Sequence, residues 1–315
     1  MPRSPRETIV VRGVDVDVTL TRIGPVEGRP TVLVPGLAAT PAPFNLHERR
    51  PLTVVLQESG RSPWLVDFAV SWRRPGQDAP ALLHALQLAL SELRHHAGVD
   101  LDAVDAVGHS LGGILLLALA ADGVPLRRIA TMGTALDYRG GFGRLGELLA
   151  LAPETRRLRA PVGGLPVSRL ARFSAPLLGR RFTVPLQTAQ FHPGSTPGPV
   201  IREMMRQGVR DLPFALLVDL AALLTEGGLR IGHAGRPLRE AVRDLTVPVL
   251  MIAGRQDSQC PVQRVREAVR QIPSARLLEV GEDAPGRGFS HVDLMTATRA
   301  PDEVFDPLVS FLEGA

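Results

Sequence analysis

Lysine is missing altogether: each of the 36 basic side chains in this 315-residue chain is an arginine. That excludes Schiff-base chemistry on a lysine, a lysine nucleophile and the lysine of a phosphate-binding P-loop. It also explains a sequence pI of about 10.6 beside a formal net charge of only +4. Cysteine is nearly missing too. Cys260 stands alone, so no internal disulfide framework exists and a reducing, cytoplasmic compartment is expected. The histidines and Cys260 show no metal-ligand spacing, and no metal site is expected. Aromatic residues make up 4% of the chain and do not interleave with the arginines, which argues against nucleic acid as a partner. The longest unbroken apolar run, Ile114–Ala121, falls far short of the roughly 20 residues that cross a bilayer, so stable membrane insertion is not expected. Met1–Arg6 holds no apolar core of a signal peptide, and none is expected.

What is present is ordinary globular material, 44% hydrophobic and 22% charged, enough for one large core. Thr8–Val11 and Val14–Arg22 read as an antiparallel pair of strands. Thr31–Val34, Trp64–Phe68, Val104–Val107, Arg128–Met132, Val247–Ala253 and Ala275–Val280 read as strands, the first and third of them buried. Between them lie helical patterns at Pro43–Ser59, Pro80–His96, Ile114–Ala121, Val262–Ile272 and Asp302–Leu312. Strands alternating with helices predict an α/β fold, a mostly parallel sheet with helices on both faces. The alternation lapses between Tyr138 and Thr246, where 16 arginines face 8 acidic residues; only weak helices are read there, at Leu145–Leu151, Pro199–Gln207 and Pro213–Leu224. The reading is a core of residues 1–137 and 247–315 interrupted by an insertion, 138–246. The excess of arginine in the insertion is taken as a solvated face, although an anionic substrate or membrane surface would also suit it.

The chemistry gathers around Val104–Ile114, a buried strand, a Gly108-His109-Ser110-Leu111-Gly112 turn and a helix start. In a G-x-S-x-G elbow the serine stands exposed on a strained turn above the sheet, with the helix N-terminus behind it. A hydroxyl becomes nucleophilic when a base takes its proton, and the usual base is a histidine oriented by a carboxylate. His291, in the loop Gly286–His291 after the last strand, is the candidate base. His109, inside the elbow, is expected to point away from the reacting face. His47, His84, His95 and His96 are read as solvated positions on helices, and His192 and His233 fall in the insertion. Asp257, just past the strand Val247–Ala253, is the candidate acid; Asp137, after Arg128–Met132, is the competing one. Both follow the carboxyl end of a strand, where open α/β sheets carry their sites. Gly141–Gly146 fits G-x-G-x-x-G but lacks its βαβ setting and its acidic partner, so dinucleotide binding is not expected.

With serine, acid and histidine in the order Ser110, Asp257, His291, the chain resembles the α/β-hydrolases over nearly its whole length. Val34-Pro35-Gly36-Leu37 is similar to the family's oxyanion loop, with Pro35 in place of the common histidine. Val247–Asp257 is similar to its acid-bearing strand and loop. Ser290–Leu294 and Ala300–Leu312 resemble the acid-lipase and polyhydroxyalkanoate-synthase-like branch. The synthases carry cysteine at the elbow; Ser110 points to hydrolysis instead. The resemblance implies an oxyanion hole built from the Leu37 and Leu111 N–H groups, and a cap formed by 138–246. It also implies a serine hydrolase that cleaves small-molecule carboxylic esters with an apolar acyl or alcohol group through an acyl-enzyme on Ser110, without a cofactor. An acyltransferase or thioesterase with the same triad is the alternative enzyme; a ligand-binding protein on a hydrolase scaffold is the alternative of another class.

Overall fold

The computed structural model describes residues 6–24, 27–74, 76–142, 163–179, 190–225, 229–232 and 236–314. Eight strands form one sheet: β1 (Arg6–Val11), β2 (Val18–Ile23), β3 (Arg29–Val34), β4 (Arg61–Phe68), β5 (Asp105–His109), β6 (Arg128–Met132), β7 (Val249–Gly254) and β8 (Ala275–Val280). Their spatial order is β1-β2-β4-β3-β5-β6-β7-β8. β2 runs antiparallel to β1 and β4, and every later pair is parallel. The α/β class, the mostly parallel sheet and the antiparallel edge are therefore as the periodicity predicts. β2 begins later than the alternation suggests, because Val14–Asp17 forms a turn in which Val14 is exposed and Val16 and Gly13 close on each other.

Helices α1 (Leu52–Glu58), α2 (Ala79–Ala97), α3 (Leu111–Ala121), α7 (Val262–Gln271) and α8 (Asp306–Glu313) cover the two faces; α4 (Val167–Ser174), α5 (Gly198–Gln207) and α6 (Phe214–Leu223) belong to the stretch between β6 and β7. The two buried clusters lie one on each face of the sheet. One gathers α2, α3 and α7 with Leu229, Leu238 and Leu245; the other gathers α1, α5 and α8. α3 is apolar all round because it has the sheet on one side and those residues of the later stretch on the other. The single helix read over Pro43–Ser59 is instead a 3₁₀ turn, Ala42–Asn45, a loop, and α1. His47 sits in that loop, where its Nδ1 accepts from the Arg49 and Arg50 N–H groups and its Nε2 contacts the Ala297 carbonyl. The closing helix starts as a π-turn at Pro301–Phe305 before α8. The central stretch holds further elements that its sequence pattern does not predict: α4, the short helical turns Ala175–Leu177, Leu238–Ala241 and Val242–Asp244, and a two-residue ladder pairing Gly164–Leu165 with Leu212–Pro213. The helix expected at Leu145–Leu151 lies outside the described residues.

Candidate active site

β5 ends at His109, and Ser110 follows with φ +53°, a left-handed conformation that costs a non-glycine residue about 1 kcal/mol or more. The turn is held by the Ser110 N–H on the Met132 carbonyl at 2.9 Å and the Thr134 hydroxyl on the Ser110 carbonyl at 3.0 Å. Gly112 lets α3 lie against β3: a methyl there would stand 2.2 Å from the Val34 carbonyl oxygen and 2.6 Å from that of Pro35. Both obstacles are backbone, so helix and strand must part. Gly112→Ala is expected to lower folding stability by about 4 kcal/mol, at the upper end for overpacking. Gly123→Ala, at φ +88° in open space, is expected to cost about 1–2 kcal/mol from backbone strain alone. Urea unfolding of the two variants separates crowding from conformation.

Three strand ends bring the candidate residues to one edge of the sheet. The His291 Nδ1 lies 2.7 Å from Asp257 Oδ2, and both side chains are buried. The other oxygen, Oδ1, accepts the N–H groups of Gln259 at 2.8 Å and Cys260 at 2.9 Å, so the carboxylate is oriented from two sides. Gly133, with φ +59°, forms the floor between these groups: a side chain there would lie 3.0 Å from the His291 ring and 3.3 Å from Asp257 Oδ2. Asp137 is not part of this set. It is buried among three arginines, Arg139, Arg239 and Arg264, and serves as their shared counter-ion.

Leu37 follows β3 in a loop whose Gly36 approaches the elbow, with a methyl on Gly36 reaching 3.0 Å from the Ser110 Cβ. Leu111 is the first residue of α3, so its N–H has no acceptor within the helix. Leu111 thus adjoins Ser110 in the chain, and Leu37 adjoins the Gly36 that closes on its Cβ. The loop is anchored from the stretch between β6 and β7: the Thr40 N–H donates to the Gly208 carbonyl at 3.0 Å, and the Arg210 N–H to the Ala38 carbonyl at 2.7 Å.

Three further residues belong to the site, and the sequence did not single them out for it. Tyr138, the sole tyrosine, is buried and donates to the carbonyl of Gly133, the floor beneath His291 and Asp257, at 3.1 Å. Burial raises its pKa well above the ordinary value, so it stays neutral. His109 does not point away. Its ring centroid lies 4.6 Å from that of His291, and its Nε2 contacts the His291 carbonyl at 3.1 Å. Burial, reinforced by the neighbouring His291, lowers its pKa to about 3, so the ring is neutral and can donate that bond. Asp293 ties the His291 loop to the 190s: it accepts from the His192 N–H at 2.6 Å, the Ser290 N–H at 2.9 Å and the Thr196 hydroxyl at 2.6 Å. Only its closeness to His291 in the chain could have drawn attention to it. His233 lies outside the described residues.

Burial pushes the Asp293 carboxyl up to about 6, despite its three hydrogen bonds, from an ordinary 3.8. Between those values the folded chain holds a proton that the unfolded chain has lost. This group's contribution is therefore fully present below about pH 4 and is lost as pH rises through about 6. The stability of the wild type relative to Asp293→Asn is expected to fall by up to about 3 kcal/mol from pH 4 to pH 7. Urea titrations of both proteins across that range measure it; a constant difference would contradict the assignment.

A recess of about 750 Å³ lies at the opposite edge of the sheet, lined by Arg22, Arg61, Trp64 and His96, and holds no pairing of nucleophile and base. Among the described residues no cluster of His, Cys, Asp and Glu could hold a metal ion. No helix among them is long and apolar enough to cross a membrane.

A model of the alpha/beta hydrolase family matches residues 31–306, and the chain belongs to that family. No curated protein sequence matches it significantly. Among solved structures it is similar to a hydrolase from Pseudomonas aeruginosa, at 19% identity and a TM-score of 0.61 over 98% of both chains. It is similar as well to an esterase from Exiguobacterium antarcticum, at 16% identity and a TM-score of 0.59 over 97% of this chain and 99% of that one. A thermophilic esterase from Thermogutta terrifontis gives 17% identity and a TM-score of 0.59 over 98% of both. At these identities the likeness is one of fold.

Proposed function

We propose that the protein is a serine hydrolase of carboxylic esters with an apolar acyl or alcohol group. Ser110 is its nucleophile, His291 its general base and Asp257 the carboxylate that orients the base. The observation that carries this reading is the His291–Asp257 hydrogen bond at 2.7 Å, beside a serine held at φ +53° on an elbow. Asp257 holds the His291 Nδ1 proton, which leaves Nε2 free to accept the Ser110 proton as the hydroxyl attacks the ester carbonyl. The Leu37 and Leu111 N–H groups stabilise the oxyanion that forms; one such donor is worth roughly 3–4 kcal/mol. The leaving alcohol takes the proton from His291, and water then resolves the acyl-enzyme by the same steps in reverse. Residues 138–246 act as a cap whose contacts with the Leu37 and His291 loops shield the site from water.

An active-site phosphonate carrying an alkyl chain tests this directly. It is expected to add to intact protein once, on the peptide containing Ser110, and to add to no residue of Ser110→Ala. A panel of p-nitrophenyl esters is expected to show turnover that rises from acetate to longer acyl chains. Labelling that persists in Ser110→Ala would overturn the assignment.

A further inference from the structure

Exposed apolar side chains are concentrated on one element. Six large hydrophobic residues are exposed among the described ones, and four of them lie on or beside α4: Leu165 (50% exposed), Leu170 (71%), Phe173 (83%) and Leu177 (66%). Leu170, Phe173 and Leu177 stand three and four residues apart, along one face of α4 and the turn that continues it. The opposite face buries Ala171, Ala175 and Leu178 in the cluster that holds Ile201, Met204 and Met205 of α5. The helix is thus inverted relative to an ordinary surface helix. Its small residues face the protein and its large apolar ones face outward, the arrangement that marks a docking face.

The charges carried by α4 itself have one sign. Arg169 and Arg172 are exposed between the apolar residues. From Glu154 to Glu203 the intervening sequence carries eight arginines and neither Asp nor Glu. An apolar strip whose exposed charges are Arg169 and Arg172, with Asp211 engaged by the Ser168 N–H and hydroxyl at the start of the helix, complements a surface that is apolar below and anionic above, as at the headgroup level of a bilayer. An α-helix of eight residues lies along such a surface and cannot span it.

We propose that α4 and the turn after it dock the protein on an anionic lipid bilayer. Leu170, Phe173 and Leu177 enter the boundary between headgroups and acyl chains, while Arg169 and Arg172 meet lipid phosphates. α4 packs on α5, and the chain leaving α5 at Gly208–Arg210 hydrogen-bonds the loop that carries Leu37. Docking therefore sets the active-site mouth one helix away from the membrane surface. The substrate class that follows, an ester carried in the bilayer, rests on the hydrolase reading; the docking itself does not.

Co-sedimentation with vesicles separates the two. Full-length wild type and Ser110→Ala are expected to bind vesicles of phosphatidylglycerol mixed with phosphatidylcholine equally well. Both are expected to bind at least tenfold more weakly to phosphatidylcholine alone. Leu170→Asp/Phe173→Asp is expected to lose at least tenfold in binding, with Tm and turnover of a soluble acetate ester unchanged. Arg169→Gln and Arg172→Gln are each expected to lose about fivefold on the anionic vesicles. Phe173→Gln alone supplies the same direction should the double variant fail to fold. Equal binding by wild type and Leu170→Asp/Phe173→Asp, or no binding by either, overturns the proposal. So does a concentration-dependent dimer that the double variant abolishes, because the face would then be covered by a second copy of the chain. Loss of ester turnover in every assay, with vesicle binding intact, would instead count against the hydrolase reading alone.

Discussion

Ser110→Ala is expected to lower kcat for ester turnover by about 10⁶, the scale on which removing the nucleophile acts in a serine hydrolase. What survives is the background supplied by binding and by the backbone donors at Leu37 and Leu111. The substitution removes one oxygen from a half-buried side chain and leaves Cβ in place, so the φ of +53° and the surrounding glycine contacts are kept. The Ser110 N–H bond to the Met132 carbonyl and the Thr134 hydroxyl bond to the Ser110 carbonyl both involve its backbone and are kept. Folding stability is therefore expected to change by less than about 1 kcal/mol. Steady-state kinetics on p-nitrophenyl esters, with urea unfolding of the same preparation, check both halves. Activity near that of wild type in pure, folded Ser110→Ala protein would place the chemistry elsewhere.

The second large effect is at Asp257. Its carboxylate holds His291 through Oδ2 and is itself held by the Gln259 and Cys260 N–H groups through Oδ1. An asparagine can keep those two backbone bonds with its oxygen, but it then offers an NH₂ group to the His291 Nδ1. The imidazole is pushed to the tautomer whose Nε2 carries the proton and cannot accept one from Ser110, and the imidazolium loses its counter-charge. Asp257→Asn is expected to cost roughly 10³–10⁴ in kcat with KM nearly unchanged. Asp137→Asn is expected to act oppositely. It leaves Arg139, Arg239 and Arg264 around a buried neutral amide, so it costs about 3 kcal/mol of stability and less than tenfold in kcat. Kinetics paired with unfolding on the two variants distinguish them; the reverse pattern would exchange the roles of the two aspartates.

Elements were readable from the sequence where burial leaves its period, a short apolar run in the central β6 and an amphipathic repeat in α2 and α7. Arg128–Met132 and Ala275–Val280 are strands over the ranges expected, and α2 and α7 match theirs within a residue or so. The elbow was readable because a tight turn between strand and helix demands glycine at fixed spacing. What eluded the sequence was set by tertiary contact. α4 carries no apolar stripe that fits an inward face, since its inward residues are alanines and its leucine and phenylalanine face out. The helix read over Pro43–Ser59 breaks where His47 turns to bind the backbone of Arg49, Arg50 and Ala297. His109, Tyr138 and Asp293 gain their places only when distant strand ends converge, and no local pattern carries that information.

The chain leaves the sheet at Met132 and returns at Val249, in strands that are hydrogen-bonded neighbours with Met132 opposite Ile252. Because the two strands are parallel, the long excursion leaves at the carboxyl edge of the sheet and rejoins it at the amino edge, where Val249 lies opposite Ile129, about 10 Å along the strand from Met132. Such an excursion has to travel the length of the strands to return, and on the way Leu229, Leu238 and Leu245 join the cluster that holds α3. Residues of α5 join the cluster on the other face, so the stretch is built into the scaffold on both sides of the sheet. Change in that stretch is therefore transmitted to the site, through Asp293 beside His291 and through the loop that carries Leu37.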